Sequence, residues 1–283
     1  MAFPPIPWSL RDSLDLNEMA PDGRNDGPFA LVSGGYGGET LTAAVLRGDR
    51  WIVRRALQGP ARAPLPAPRS AHQEHNHFAS WAIGDDGSVT VVWDDEWYAV
   101  PRENLPPGEI PDPEVLVDVP EMTAAHEIRY SVLAPNATRW SAPKRVALFP
   151  LRGTFPQPTV IGLSDGAAAV WTAETRRANV TSLVRIRSTR PLRPTTRTLT
   201  LPIGRANRFA ATTSRVPGSD ILVSVMPFTR GPAHLAATDA TGSRWTLRSR
   251  TALPGFRRAR VFPGLVGRVW VRDGRRFGVL EVR

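Results

Sequence analysis

Along most of the chain, apolar residues recur at every second position in short runs bounded by glycine, proline or aspartate. Trp245 and Leu247 alternate with Arg244, Thr246, Arg248 and Arg250, and Val184 and Ile186 alternate with Arg185 and Arg187. Val89, Val91 and Trp93 share one register, as do Ile221, Val223 and Val225. A period of two places such residues on one side of a pleated strand, so these segments predict antiparallel strands with one buried and one wet face. A helical period is nearly missing. It is met only from Trp8 to Met19, where Ser9 caps, Asp12 takes the capping-box position and Leu10 and Leu14 share a face. The fold class is therefore all-β and antiparallel, with about twenty strands placed by this pattern.

Two of the runs repeat one another. Ile83-Gly-Asp-Asp-Gly-Ser-Val-Thr-Val-Val-Trp93 aligns with Ile161-Gly-Leu-Ser-Asp-Gly-Ala-Ala-Ala-Val-Trp171, each a strand, an Asp-Gly turn and a strand closing on tryptophan. Fainter copies are Gly48-Asp-Arg-Trp51, Gly242-Ser-Arg-Trp245 and Gly267-Arg-Val-Trp270. In this unit the chain resembles β-propeller repeat proteins. The resemblance implies about five four-stranded blades over a single domain, 1–283, with a short N-terminal extension at 1–27. It implies a shape and no activity, because neither the Gly-His…Trp-Asp pair nor the Ser-x-Asp-x-Gly-x-x-Trp box of such families is present. The alternative is two β-sandwich domains. The proline-rich stretches 60–68 and 101–120 suit surface loops, and the second also suits a linker.

Charge sharpens that alternative. Residues 1–143 hold 11 Arg against 20 Asp and Glu, a net −9, whereas 144–283 hold 24 Arg and Lys144 against 6 acids, a net +19. An acidic half at 1–143 and a basic half at 144–283 are the alternative domain split. A separation of this size bears on partners and assembly more than on fold. Lys144 is the single lysine, and scarce lysine, isoleucine and asparagine beside abundant Arg, Ala and Pro fit a GC-rich coding bias. Cysteine is absent, which removes disulfides, thiolate metal sites and cysteine nucleophiles. No run of 18 apolar residues exists to form a spanning helix, and residues 1–8 lack the basic start and apolar stretch of a signal peptide. A cytoplasmic protein, or one released within a particle, is the expectation.

The densest chemical cluster is His72, His75 and His77, the candidate metal ligands; His75 and His77 would project together from a strand, and a polar loop is the competing reading. Asp85 and Asp86 suit turn chemistry, and Asp94, Asp95 and Glu96 suit a strand end. Ser33-Gly-Gly-Tyr-Gly-Gly38 lacks both the P-loop ending and dinucleotide spacing, and reads as a flexible turn. No serine nucleophile elbow occurs, so no catalytic residue and no cofactor are assigned. Candidate partner surfaces are Arg185, Arg187, Arg248, Arg250, Arg272 and Arg275, with the exposed-tryptophan candidates Trp81, Trp97 and Trp140. Phe256, Phe262, Trp270 and Phe277 lie among the C-terminal arginines, an arrangement that suits a single nucleic-acid strand, or else a core edged by solvated charge.

These features predict a non-catalytic binding or structural protein, associating head-to-tail or with other proteins through its charge-complementary halves, as a component of a larger particle such as a phage tail. The alternatives are a carbohydrate-binding or carbohydrate-active propeller, in which Asp94, Glu96 and Glu174 are the acids to test, and nucleic-acid binding through the basic half.

Overall fold

The computed structural model describes residues 30–33, 42–48, 50–54, 70–101, 123–150, 158–174, 179–189, 195–200, 212–226, 232–239 and 246–282. Among these residues the chain is entirely β, with no helix. The expected helix at Trp8 to Met19, both proline-rich stretches apart from Pro101, and the glycine loop after Ser33 lie outside the described residues.

Strands pair with their neighbours in sequence, so each sheet is a meander. The first comprises β1 (Ala30–Ser33), β2 (Thr42–Arg47) and β3 (Arg50–Arg54). The second comprises β4 (Ser70–Ile83), β5 (Val89–Pro101), β6 (Thr123–Leu133) and β7 (Lys144–Pro150). The third holds β8 (Thr159–Leu163), β9 (Gly166–Glu174), β10 (Asn179–Arg187) and β11 (Thr195–Thr200). The fourth holds β12 (Thr212–Arg215), β13 (Ile221–Met226), β14 (Ala233–Asp239) and β15 (Thr246–Leu253). The last is three-stranded: β16 (Arg260–Pro263), β17 (Arg268–Asp273) and β18 (Arg276–Glu281).

The chain divides into two compact units, Met1–Trp81 with Val91–Arg152, and Ala82–Thr90 with Gly153–Arg283. The charge boundary at Pro143 and Lys144 thus falls within the first unit, at the start of β7, while the acidic tip of the β4–β5 hairpin is counted with the second.

In the first unit, Trp93, Ile128, Tyr130 and Leu133 are fully buried, and burial pushes the Tyr130 hydroxyl up to about 12. Glu127 is buried too, but its two oxygens accept from Arg129 Nε at 2.8 Å and Arg145 Nη1 at 2.9 Å. Arg47, at the end of β2, donates to the carbonyls of Ala134 at 2.9 Å and Ala137 at 3.2 Å. This guanidinium satisfies loop carbonyls that no ladder reaches.

In the second unit the sheets stack in chain order. Leu222 of β13 joins Leu163, Ala168, Val170 and Leu183 of the third sheet. From the opposite face of β13, Ile221, Val223 and Val225 join Val261, Val269 and Val271 of the last sheet. β13, in the middle of the fourth sheet, is therefore dry on both sides. Sequence alternation had predicted one wet face here, and the structure corrects this: Ile221 to Val225 are all buried, and so is Arg185 between Val184 and Ile186. Thr90 and Val92, between Val89, Val91 and Trp93, are buried as well. Ser224 and the Arg185 terminal nitrogen on the second face are hydrogen-bonded, whereas the Thr90 hydroxyl is small enough to be buried without a hydrogen-bond partner among the described residues.

The aligned repeats are equivalent hairpins. Each runs from a strand through a tight turn to a strand that buries its tryptophan, Trp93 in β5 and Trp171 in β9. Gly166 begins β9 with φ 131°, and a Cβ there would collide with the Ile186 carbonyl, so no other residue fits.

Turns of successive sheets are tied by charge. Asp220, in the β12–β13 turn, accepts from Ser164 N at 2.9 Å, Ser164 Oγ at 2.5 Å, Arg185 Nη2 at 3.1 Å and Arg215 Nη2 at 3.0 Å. Arg185 also reaches Asp165 at 2.5 Å, and Arg215 reaches Asp85 at 2.7 Å in the β4–β5 turn. Asp85 N donates to the Leu163 carbonyl at 2.9 Å, and Ser188 Oγ donates to Asp86. Without Asp220 the buried Arg185 keeps only the partly exposed Asp165 as counter-ion, and Arg215 keeps only the partly exposed Asp85. Asp220→Ala is expected to cost about 3 kcal/mol, read as a lower denaturant midpoint at constant slope; an unchanged midpoint refutes the role given to Asp220.

Candidate ligand-binding face

The stack of sheets in the second unit ends at β16–β18, whose inner side carries Val261, Val269 and Val271 in the core. Pleating sends the intervening residues to the other side. There Phe262, Trp270 and Phe277 are 42%, 39% and 52% exposed, and Val279 is exposed beside them. Pairing sets these residues in rows. Phe262 lies opposite Trp270, which lies opposite Val279; Arg260 lies opposite Arg272, which lies opposite Phe277; and Arg268 lies opposite Glu281.

Three features hold the face in shape. Trp270 and Phe277 meet edge to face, with ring centroids 4.8 Å apart at 84°. Gly264 gives the indole room, since a Cβ there would meet Trp270 Cδ1 and stand 2.6 Å from Nε1 and 2.7 Å from the Arg268 carbonyl. Arg268 Nη2 and Glu281 Oε1 pair at 2.8 Å, both about half exposed. Two residues along β17 separate Arg268 from Trp270, so the pair flanks the ring at a step of about 7 Å.

The turns around the face are also pinned. Asp273 accepts from the backbone N of Arg257 at 2.6 Å and Arg258 at 3.1 Å. Those two donors hold its carboxyl below the ordinary 3.8, with Arg276 and Arg258 adding smaller effects. Arg276 Nη1 donates to the Gly255 carbonyl at 2.6 Å, and Gly267 N donates to the Pro217 carbonyl at 3.1 Å.

Of the residues singled out from sequence, Phe262, Trp270, Phe277 and Arg272 come together on this face and Arg275 lies in its turn, Phe256 packs against the core, and the rest are not gathered here. Arg272 and Arg275 are exposed, Arg272 on the face itself and Arg275 in the β17–β18 turn. Arg185 is buried in the Asp165–Asp220 network, a correction to its expected place on an open surface. Arg187 is partly exposed at the end of β10 and lies 3.9 Å from Asp165. Arg248 and Arg250 are in β15 and their side chains lie outside the described residues. Trp140 is buried, so it is corrected from exposed candidate to core; Trp81 is half-buried; Trp97 is in β5 with its side chain outside the described residues. His72, His75 and His77 lie in β4, a strand rather than a loop, and their side chains are likewise not described. Asp94 is buried in the middle of β5 rather than at a strand end. Arg268 and Glu281 escaped the sequence reading, although the alternation Arg268, Trp270, Arg272 against Val269 and Val271 carried the signal.

No protein-family model matches the chain, and no curated protein matches it. Solved structures align with it at low identity and low TM-score. SapL1 lectin, in complex with α-methyl fucoside, aligns over 93% of this chain and 78% of its own at 14% identity and TM-score 0.38. A Dyadobacter fermentans protein of unknown function aligns over 92% of this chain and 76% of its own at 12% identity and TM-score 0.45. A prolyl endopeptidase aligns at 12% identity and TM-score 0.42, with 90% of this chain spanning only 32% of that one. Likeness of this grade assigns neither a family nor a ligand.

Two measurements check the geometry. Gly264→Ala should displace the indole and shift the Trp270 contribution to fluorescence, while unfolding stays cooperative; an unaltered spectrum contradicts the close approach. The Asp273 carboxyl, with its folded pKa depressed, supports the turn above the ordinary carboxylate range and releases it as pH falls through the lowered value. The amide resonances of Arg257 and Arg258 should move in that acid window and stay still in Asp273→Asn.

Proposed function

We propose that this chain binds carbohydrate without chemical turnover, on a propeller-type scaffold of about five antiparallel blades. The scaffold reading draws on the meanders stacked in chain order and on their first strands, with β12 lying against both β8 and β16. The binding reading rests on one observation: an open indole, Trp270, beside the hydrogen-bonded Arg268–Glu281 pair on a flat strand face.

The chemistry follows from what a sugar ring presents. Its axial C–H groups form an apolar patch that an aromatic ring covers, and its hydroxyls form a rim that both donates and accepts. Trp270 supplies the platform. Arg268 donates and Glu281 accepts, so adjacent hydroxyls can be held by one pair whose geometry is already set. Hydrolysis of a glycosidic bond ordinarily needs two carboxyl groups flanking it. Glu281 is the one acid on this face among the described residues, since Asp273 takes the opposite register and is engaged by backbone N–H groups. Binding rather than cleavage is the consistent reading.

The test is a glycan array followed by titration monitored through tryptophan emission. Bound saccharide should perturb emission, and Trp270→Ala should weaken binding at least about tenfold, with circular dichroism confirming that the variant stays folded. An array without hits, with emission indifferent to every oligosaccharide tried, sinks the proposal.

A further inference from the structure

The face carries a second feature that the sugar platform does not use. Arg260 and Arg272 stand directly opposite each other across the β16–β17 ladder, on the side that bears Trp270, and both are exposed. Directly opposed residues have Cβ atoms about 4.5–5.5 Å apart, and like charges there destabilise the pairing. The nearby acids are otherwise occupied. Asp273 is held by the backbone N–H groups of Arg257 and Arg258, and Glu281 pairs with Arg268. Arg272 spends its Nε on the Gly274 carbonyl at 3.0 Å, which leaves its terminal nitrogens. The Arg260 and Arg275 side chains have no hydrogen-bond or ion-pair partner among the described residues. Across 256–282, seven arginines stand against two acids.

We infer that the ligand is an acidic saccharide, carboxylated or sulfated, whose anionic group sits between Arg260 and Arg272 while its ring covers Trp270. The inference rests on the carbohydrate reading of the same face and specifies its substrate class. A guanidinium pair with no counter-ion among the described residues is relieved by an anion, and each guanidinium offers a planar fork that suits carboxylate or sulfate. The step of two residues from Arg272 to Trp270 is about 7 Å, the scale of one sugar unit with its substituent. A single nucleic-acid strand is less well served. Glu281 would repel its phosphates while accepting from hydroxyls, and Phe277 stands edge-on to Trp270, so successive bases find no run of parallel platforms.

Matched saccharides that differ only in charge test this with the full chain at fixed ionic strength. One pair is trigalacturonic acid and its methyl ester; the other is dextran sulfate and dextran. Trityl-free oligothymidine serves as the nucleic-acid probe. At least one acidic member should bind about tenfold tighter than its neutral twin, with the preference shrinking as salt rises. Arg260→Gln and Arg272→Gln should each collapse the acidic-over-neutral ratio, whereas Arg139→Gln, an equal loss of charge at an exposed position of the first unit, should keep it. Circular dichroism of each variant checks the sheet. Equal binding of both twins overturns the acidic inference and leaves the carbohydrate reading standing. Binding of neither twin in either pair overturns the inference, and the glycan array then decides the reading beneath it. Oligothymidine binding tighter than either acidic saccharide overturns it in favour of nucleic acid. A dimer that Trp270→Ala disperses, with no saccharide bound, overturns it in favour of a second copy of this chain.

Discussion

Burial of a sheet on both faces is the constraint from which the second unit follows. A strand such as β13 can lose all its water only if a neighbouring sheet covers each side, and its residues divide accordingly, Leu222 one way and Ile221, Val223 and Val225 the other. Each meander thereby depends on the next for half of its apolar burial. Every polar residue caught between sheets must then find a partner inside the protein. Ser224 meets Thr213 at 2.8 Å, and Thr238 donates to the Leu222 carbonyl at 3.3 Å. Arg185, buried by the same stacking, needs Asp165 and Asp220.

The charge contrast between the two halves of the sequence has an internal use that composition did not show. Asp85 and Asp86 belong to the acidic half by sequence, yet their hairpin tip is packed with the basic one, where Asp85 meets Arg215 and Asp86 meets Ser188. Part of the attraction expected to join neighbouring molecules is therefore spent within one. Among the described residues of the second unit, the exposed arginines gather at the end of the stack, around β16–β18. There the arginines are wet, and they surround aromatics that are wet as well. Stability and the proposed recognition use the same residue type in two environments. A guanidinium between sheets is pinned by carboxylates, and one on the last face is open to a ligand.

The hairpins were legible because their signals are local. An Asp-Gly turn and a tryptophan at fixed spacing need only neighbouring residues, and the aligned segments ending at Trp93 and Trp171 fold alike for that reason. Exposure was less legible. Arg185 and Arg272 sit in similar alternating runs, and nothing within either run says that one is sandwiched while the other faces outward. Trp140 shows the same difficulty reversed, since the ring taken for surface is core, and for Trp270, which suited either an open face or the core, only the fold decides. The Arg268–Glu281 pair joins residues thirteen positions apart, and depends on the register set by the Gly274 turn.

By itself, then, the order of residues determined that the chain is antiparallel β, where its hairpins turn, and how unevenly its charge is spread, because period, turn chemistry and composition act over a few residues. Tertiary structure alone decided which strands are covered twice and where the stack stops. Those outcomes depend on which sheet faces which, a matter of contacts between segments far apart in the chain. The candidate site follows from the second of them: Trp270 is a platform only because no described sheet of its own unit lies beyond it.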